Sequence, residues 1–223
     1  MSSESATVPA TEITAEDVLW YIPNKIGYAR AVTAVISFFT MQNCPISTAI
    51  VYTASCLLDA LDGTMARKYN QVSRLGAVLD MVTDRSTTAG LLCFLTLAYP
   101  TWGPFFQVLL ALDITSHYMH MYASLAISGG SHKNVTKESS ALLHLYYSRR
   151  DVLFTVCFFN ESFFGGLYWM AFDKYYTAGK WIAIISFPLW AFKQFANVIQ
   201  LQRAALMLAT EDAKDANERN KAK

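Results

Sequence analysis

Four aspartates stand in an otherwise apolar stretch that runs from Asp59 to Asp84 and reads DALDGTMARKYNQVSRLGAVLDMVTD. If this stretch is helical, Asp59 and Asp62 are three residues apart and Asp80 and Asp84 are four apart, so each pair shares one helix face. Charge inside an apolar run is costly and is usually kept for a function. The spacing therefore predicts two acidic pairs, one on each of two neighbouring helices.

The chemistry of such a cluster depends on cations, because four carboxylates in one pocket repel one another. The link from Lys68 to Leu75 is short enough for a tight hairpin, which brings both pairs near one turn. Ligands that are all oxygen favour Mg²⁺ or Mn²⁺ over zinc. Gly63 leaves room for a ligand beside the acids, and Arg67, one turn beyond, can reach a phosphate. The cluster thus predicts metal-assisted phosphoryl transfer or pyrophosphate cleavage.

A structural alternative is that the acids form ordinary ion pairs at a helix interface. The candidate partners are Arg67, Lys68, Arg74 and Arg85. One such pair would be common at a helix end. Two same-face pairs with glycines beside them are harder to explain in this way.

The elements that position these residues are predicted to be membrane helices. Of the 223 residues, 53% are hydrophobic and 16% are charged, and the formal net charge is +1. This composition is typical of a membrane protein, and the lack of a dense basic block argues against nucleic acid as a partner. Apolar segments of about 20 residues, the length that crosses a bilayer, occur at 28–44, 47–66, 75–98, 103–127, 152–172 and 181–205.

A short amphipathic helix is predicted before the first span. Thr14 and Asp17 form a capping-box pattern, and Trp20, Tyr21 and Lys25 suit the headgroup layer. The predicted fold is an all-α membrane protein with six transmembrane helices preceded by this interfacial helix. The predicted divisions are a polar N-terminal tail (1–17), a membrane domain (18–208) and a charged cytoplasmic tail (209–223).

Basic residues concentrate in alternate connections. They occur before the first span, between the second and third, and between the fourth and fifth, whereas the other connections carry few. By the positive-inside rule, both termini are predicted to face the cytoplasm. The residues counted are Lys25, Arg30, Arg67, Lys68, Arg74, Lys133, Lys137, Arg149 and Arg150.

The acidic stretch also resembles a known family signature. Asp59-x2-Asp62-Gly63-x2-Ala66-Arg67-x8-Gly76-x3-Asp80-x3-Asp84 matches the pattern of the CDP-alcohol phosphatidyltransferase family at every fixed position. Three further stretches, VLWYIPNKIGYAR, DITSHYMHMYAS and LLHLYYSRRDVLF, resemble the inositol-specific fungal members of that family.

The resemblance implies a reaction and a set of roles. Members of this family hold two divalent cations on the four aspartates, and the cations bind the pyrophosphate of a CDP-linked lipid. The resemblance makes Asp84 the proton acceptor for the incoming hydroxyl. It also implies that Gly63, Arg67 and Ser73 line the CDP-diacylglycerol pocket and that Asn24 closes it. The implied activity is phosphatidyl transfer from CDP-diacylglycerol to myo-inositol with release of CMP, in the endoplasmic reticulum membrane and on its cytoplasmic side.

The acceptor stays open, because the signature does not separate inositol from serine or glycerol phosphate. A polar stripe on the fourth span, formed by Asp113, Ser116, His117 and His120, suits a polyol site or an interhelical network equally well. An ion transporter is disfavoured because the acids cluster near one face, and a polyprenyl transferase because adjacent Asp-Asp pairs are missing. The choice between Mg²⁺ and Mn²⁺ and the oligomeric state, with a homodimer among the candidates, also stay open.

Overall fold

The computed structural model describes residues 12–127 and 149–222, and these are helical almost throughout. The α-helices are α1 (Ala15–Leu19), α2 (Ile22–Thr40), α3 (Pro45–Lys68), α4 (Arg74–Ala98), α5 (Gly103–Ile127), α6 (Arg150–Met170) and α7 (Tyr176–Lys221). Short 3₁₀ turns at Pro100–Trp102 and Asp173–Tyr175 precede α5 and α7. The all-α class predicted from the sequence is confirmed. The predicted loop residues Lys133 and Lys137 lie outside the described residues.

The capping box predicted at the start of the chain is present in α1. The backbone N–H of Asp17 donates to Thr14 Oγ1 at 3.2 Å, and the Thr14 N–H donates to Asp17 Oδ2 at 2.8 Å. Hydrogen bonds from Thr14 to its carboxylate lower the pKa of Asp17. The interfacial helix is shorter than the predicted segment, because it ends at Leu19 and Pro23 stands in the first turn of α2, a position where proline favours helix initiation.

The hairpin between α3 and α4 depends on a left-handed residue. Asn70 has a φ of 52°, a conformation that asparagine tolerates better than most residues. The Gln71 N–H donates to the Ala66 carbonyl at 2.8 Å and ends α3. Ser73 then caps α4, since its Oγ accepts from the Gly76 N–H at 3.0 Å. This turn sets the facing register of the two acid-bearing helices.

The remaining helices surround this hairpin. Helix α2 packs against α3 and α4, α5 packs between α4 and α7, and α6 packs along α7. An added Cβ on Gly166 would lie 2.8 Å from the Gly179 carbonyl oxygen, so these two glycines let α6 and α7 approach closely. The apolar core includes Leu92, Leu95, Phe164 and Trp190, contributed by α4, α6 and α7.

Polar residues within the bundle lower the mean hydropathy of the individual helices, which is the property used to recognise a membrane span. Among the described residues, one segment, Asp173–Lys221, contains an 18-residue stretch with the mean hydropathy (1.4) of a membrane span. The count of six spans is therefore not confirmed by this criterion. A physical reason is visible in α3 and α4, since each carries two of the aspartates in its middle turns. Helix α7 continues past Leu208 to Lys221, so most of the predicted charged tail is helical.

Candidate active site

The four aspartates converge on one side chain from a third helix. Arg30 of α2 donates through Nη1 to Asp62 Oδ2 at 2.5 Å and to Asp80 Oδ1 at 2.7 Å. Its Nη2 lies 2.6 Å from Asp59 Oδ1 and also contacts Asp84 Oδ1. Each terminal nitrogen thus joins one carboxylate of α3 to one of α4. The facing acidic pairs predicted from the sequence are present, and Arg30 lies at their centre.

Arg30 is the residue that the sequence interpretation placed wrongly. The positive-inside count takes Arg30 as a basic residue before the first span, although it falls within the apolar segment 28–44; in the structure it is the ninth residue of α2 and is only 1% exposed. Of the four alternative partners, Arg85 lies 3.5 Å from Asp84, whereas Arg67, Lys68 and Arg74 form no ion pair with these acids among the described contacts. The sequence does contain a signal for the position of Arg30. Pro23 favours the start of a helix, which places Arg30 within an apolar helix, and an arginine in such a helix usually pairs with acidic residues.

The donor set suits a hard divalent cation. Asp59, Asp62 and Asp80 can each offer one carboxylate oxygen such that all three oxygens lie within 4.8 Å of one another. Oxygen-only sites of this kind favour Mg²⁺ or Mn²⁺. Asp84 lies beside Asp59, since both contact the same nitrogen of Arg30. The residues present therefore fit the metal that the sequence predicted.

Two cavities border the acidic cluster, and each is lined by two of its four aspartates. The turn-side cavity, of about 180 Å³, lies near the α3–α4 turn and includes Asp62 and Asp80 in its lining. The interhelical cavity, of about 260 Å³, lies between α3, α4 and α6 and includes Asp59 and Asp84. Each cavity is thus lined by one carboxylate of α3 and one of α4.

The turn-side cavity is lined by Gly63, Arg67 and Ser73, the residues that the family resemblance implies for the CDP-diacylglycerol pocket. Asn24, implied to close that pocket, and Gly76 also line it. Asn24 donates through Nδ2 to the Val18 carbonyl at 2.6 Å, while its Oδ1 is buried without a partner among the described residues. That oxygen is available to a donor group of a ligand.

Gly76 makes this position of Asn24 feasible. A Cβ added at Gly76 would lie 2.9 Å from Asn24 Oδ1 and 3.1 Å from Ser73 Oγ. Both distances are shorter than ordinary van der Waals contact. A larger residue would therefore displace Asn24 or the cap of α4, and with it the wall of the turn-side cavity.

The interhelical cavity is largely apolar away from the aspartates. Leu91, Phe158 and Trp169 are part of its lining. Its lining also includes Glu161 of α6, which accepts hydrogen bonds from Tyr52 Oη at 2.5 Å and from Thr88 Oγ1 at 3.0 Å. These bonds tie α6 to α3 and α4, a contact that the sequence analysis does not predict.

The polar stripe on α5 belongs to an interhelical network. Arg85 Nη1 donates to Asp113 Oδ1 at 2.6 Å, and Arg85 Nη2 lies 3.5 Å from Asp84 Oδ2. Asn197 of α7 reaches Asp113 at 3.5 Å. Ser116 is buried and bonded to the Asp113 carbonyl.

The two histidines of that stripe differ in their surroundings. His117 Nδ1 lies 2.8 Å from the same Asp113 carbonyl oxygen, whereas His120 is exposed. None of the four stripe residues lines either cavity. Of the two readings left open for the stripe, this geometry favours the network.

Comparison with known proteins agrees with this geometry. The sequence pattern that defines the family described as CDP-alcohol phosphatidyltransferase matches residues 20–209. A protein of Saccharomyces cerevisiae is 66% identical over 99% of both chains, and one of Candida albicans is 49% identical over 94% of this chain and 90% of its own. A human protein is 40% identical over 90% of this chain and 96% of its own. All three are named CDP-diacylglycerol–inositol 3-phosphatidyltransferase. No solved structure matches the chain. The chain therefore belongs to the CDP-alcohol phosphatidyltransferase family.

Proposed function

We propose that this protein is a CDP-diacylglycerol–inositol 3-phosphatidyltransferase, which transfers the phosphatidyl group of CDP-diacylglycerol to myo-inositol and releases CMP. The observation that carries the proposal is that the four aspartates converge on one point and line two cavities, two aspartates in each. The names of the relatives, at up to 66% identity over the full chain, support inositol as the acceptor.

The two cavities match the two halves of the lipid substrate. The turn-side cavity offers Arg67 to a phosphate and the unpartnered Asn24 Oδ1 to a nucleobase donor. The interhelical cavity offers an apolar lining to the diacylglycerol. A CDP-lipid that places its nucleotide in the first and its lipid part in the second has its pyrophosphate against the aspartates.

Asp59, Asp62, Asp80 and Asp84 would hold two divalent cations, Mg²⁺ or Mn²⁺, which offset charge on the pyrophosphate and on the leaving CMP. Asp84 faces the interhelical cavity, on the side of the lipid-bearing phosphate. Its carboxylate takes the proton of the inositol hydroxyl. The hydroxyl oxygen then bonds to that phosphorus, and the phosphorus–oxygen bond to CMP breaks.

The membrane arrangement is part of the proposal. Helices α2 to α7 are 19 to 46 residues long, enough for six spans at about 1.5 Å per residue. Large apolar side chains such as Phe39, Ile50, Val108 and Ile185 are exposed along them, which suits contact with lipid. We infer an endoplasmic reticulum membrane, with both termini and the turn-side cavity on the cytoplasmic side. Protease protection of the C-terminal tail in sealed right-side-out microsomes would contradict that orientation.

The acceptor is tested by measuring CMP release from CDP-diacylglycerol with purified protein and one alcohol at a time. We expect release with myo-inositol and little with serine, with glycerol phosphate or without an acceptor. Equal or greater release with another alcohol would assign a different acceptor to the same chemistry. Absence of release with every alcohol would refute the enzymatic proposal.

A further inference from the structure

We propose that Arg30 is an internal competitor of the divalent cations: it neutralises the four aspartates in their absence, and its withdrawal governs how tightly they bind. This inference rests on the proposed metal site. It concerns a residue of α2 that lies outside the acidic signature.

The contacts of Arg30 are those expected of a cation held by the cluster. All four carboxylates lie against its two terminal nitrogens, at 2.5 to 2.7 Å for Asp59, Asp62 and Asp80. A guanidinium donates to carboxylate oxygens through N–H groups in a fixed fork, whereas a metal ion binds lone pairs of those carboxylates. With its two terminal nitrogens against all four aspartates, Arg30 fills the space between them that a metal ion would occupy. Occupation by Arg30 and occupation by metal are therefore mutually opposed.

The formal charges also indicate that Arg30 and the cations oppose each other. Four ionised aspartates carry −4, which two divalent cations balance completely. With Arg30 still among them, the same two cations would leave the cluster at +1, and one cation would leave it at −1. A positive excess around the buried Arg30 is costly, because the aspartates beside it are only partly exposed to solvent. The second cation in particular should require that Arg30 move away.

The structure provides a route for that movement. Arg30 lines the interhelical cavity, which has room of about 260 Å³ beside it. Its Nε is buried and has no partner among the described residues, so the side chain is held mainly through its two terminal nitrogens. The backbone is anchored separately, because Ser55 Oγ donates to the Arg30 carbonyl at 3.1 Å. The side chain can therefore leave the carboxylates while α2 stays in place.

The test is Mn²⁺ binding by the full-length protein in detergent, without substrates, followed by the electron paramagnetic resonance signal of free Mn²⁺. We expect Arg30→Gln to bind Mn²⁺ on the order of tenfold more tightly than the unmodified protein. The Mn²⁺ affinity of Arg30→Lys should lie between those of Arg30→Gln and the unmodified protein, because an ammonium keeps the positive charge but cannot contact all four carboxylates. The matched control is Arg67→Gln, which removes the same charge from the turn-side cavity without touching an aspartate and should change affinity less than about threefold.

Thermal unfolding supplies a second readout. In a chelator, Arg30→Gln should unfold at a lower temperature than the unmodified protein, because its clustered carboxylates have lost their counter-charge, and saturating Mn²⁺ should remove most of the difference. If Arg30→Gln is obtained only with Mn²⁺ bound, its affinity is measured by chelator competition.

Unchanged or weaker Mn²⁺ binding by Arg30→Gln would overturn the role of Arg30 while leaving the proposed transfer reaction intact. No saturable binding by any of the proteins would overturn the metal site and this inference together.

Discussion

Replacing Asp84 with asparagine separates proton transfer from metal binding. Asp84 and Asp59 both lie against Nη2 of Arg30 and both face the interhelical cavity. However, the three carboxylates that can bring oxygens within 4.8 Å of one another are Asp59, Asp62 and Asp80. Asp84→Asn therefore leaves this three-carboxylate set intact and removes the group best placed to accept a proton from the acceptor.

The expected magnitude follows from this geometry. A general base contributes about 10²- to 10⁴-fold to rate, which corresponds to about 3–5 kcal/mol of transition-state stabilisation. We expect kcat to fall by that factor in Asp84→Asn. The KM for CDP-diacylglycerol should change little, since Gly63, Arg67 and Ser73 line a cavity that Asp84 does not.

The assay is CMP release at increasing Mn²⁺, with Asp59→Asn as the matched comparison. Asp59→Asn removes a member of the three-carboxylate set, so it should raise the Mn²⁺ concentration needed for activity. In Asp84→Asn the lost rate should persist at saturating Mn²⁺. Recovery of kcat at high Mn²⁺ would make Asp84 a ligand only and would refute its role as the base.

Three further predictions concern the parts that hold the site. Asn70→Val should lower stability by about 1–2 kcal/mol because of the left-handed backbone at this turn, whereas Asn70→Gly should be close to neutral; thermal unfolding compares them. Gly76→Val should raise the KM for CDP-diacylglycerol, because the valine side chain would displace Asn24. An unchanged KM would show that Asn24 Oδ1 is not part of the substrate pocket. Tyr52→Phe should cost about 1–3 kcal/mol of stability by removing a hydrogen-bond donor from the partly buried Glu161, and equal unfolding temperatures for both proteins would contradict that.

Much of the site could be predicted because its information is local in sequence. The three- and four-residue spacing of the aspartates determines their helix faces, and the short link between α3 and α4 makes those faces meet. The capping box of Thr14 and Asp17 is likewise a local pattern. Family membership, predicted from the signature, is confirmed by the match over residues 20–209.

The contacts that sequence reasoning missed join residues far apart in the chain. Arg30 reaches acids 29 to 54 residues away, and Glu161 meets Tyr52 across 109 residues. Periodicity shows which face of a helix is polar, but it does not show which neighbouring helix that face will meet. Arg30 is harder to identify because it lies near the start of the first apolar segment, 28–44, where a basic residue is readily counted with those that flank the span; α2 in fact begins at Ile22.

The central claim is that the aspartate cluster transfers phosphatidyl groups to inositol, and the most direct measurement is incorporation of labelled myo-inositol into lipid by the purified protein. With CDP-diacylglycerol and Mn²⁺, we expect labelled phosphatidylinositol and an equal amount of CMP. The same preparation of Asp80→Asn, folded and membrane-extracted in the same way, should form neither. Labelled lipid formed equally by Asp80→Asn, or no labelled lipid from the unmodified protein, would contradict the account.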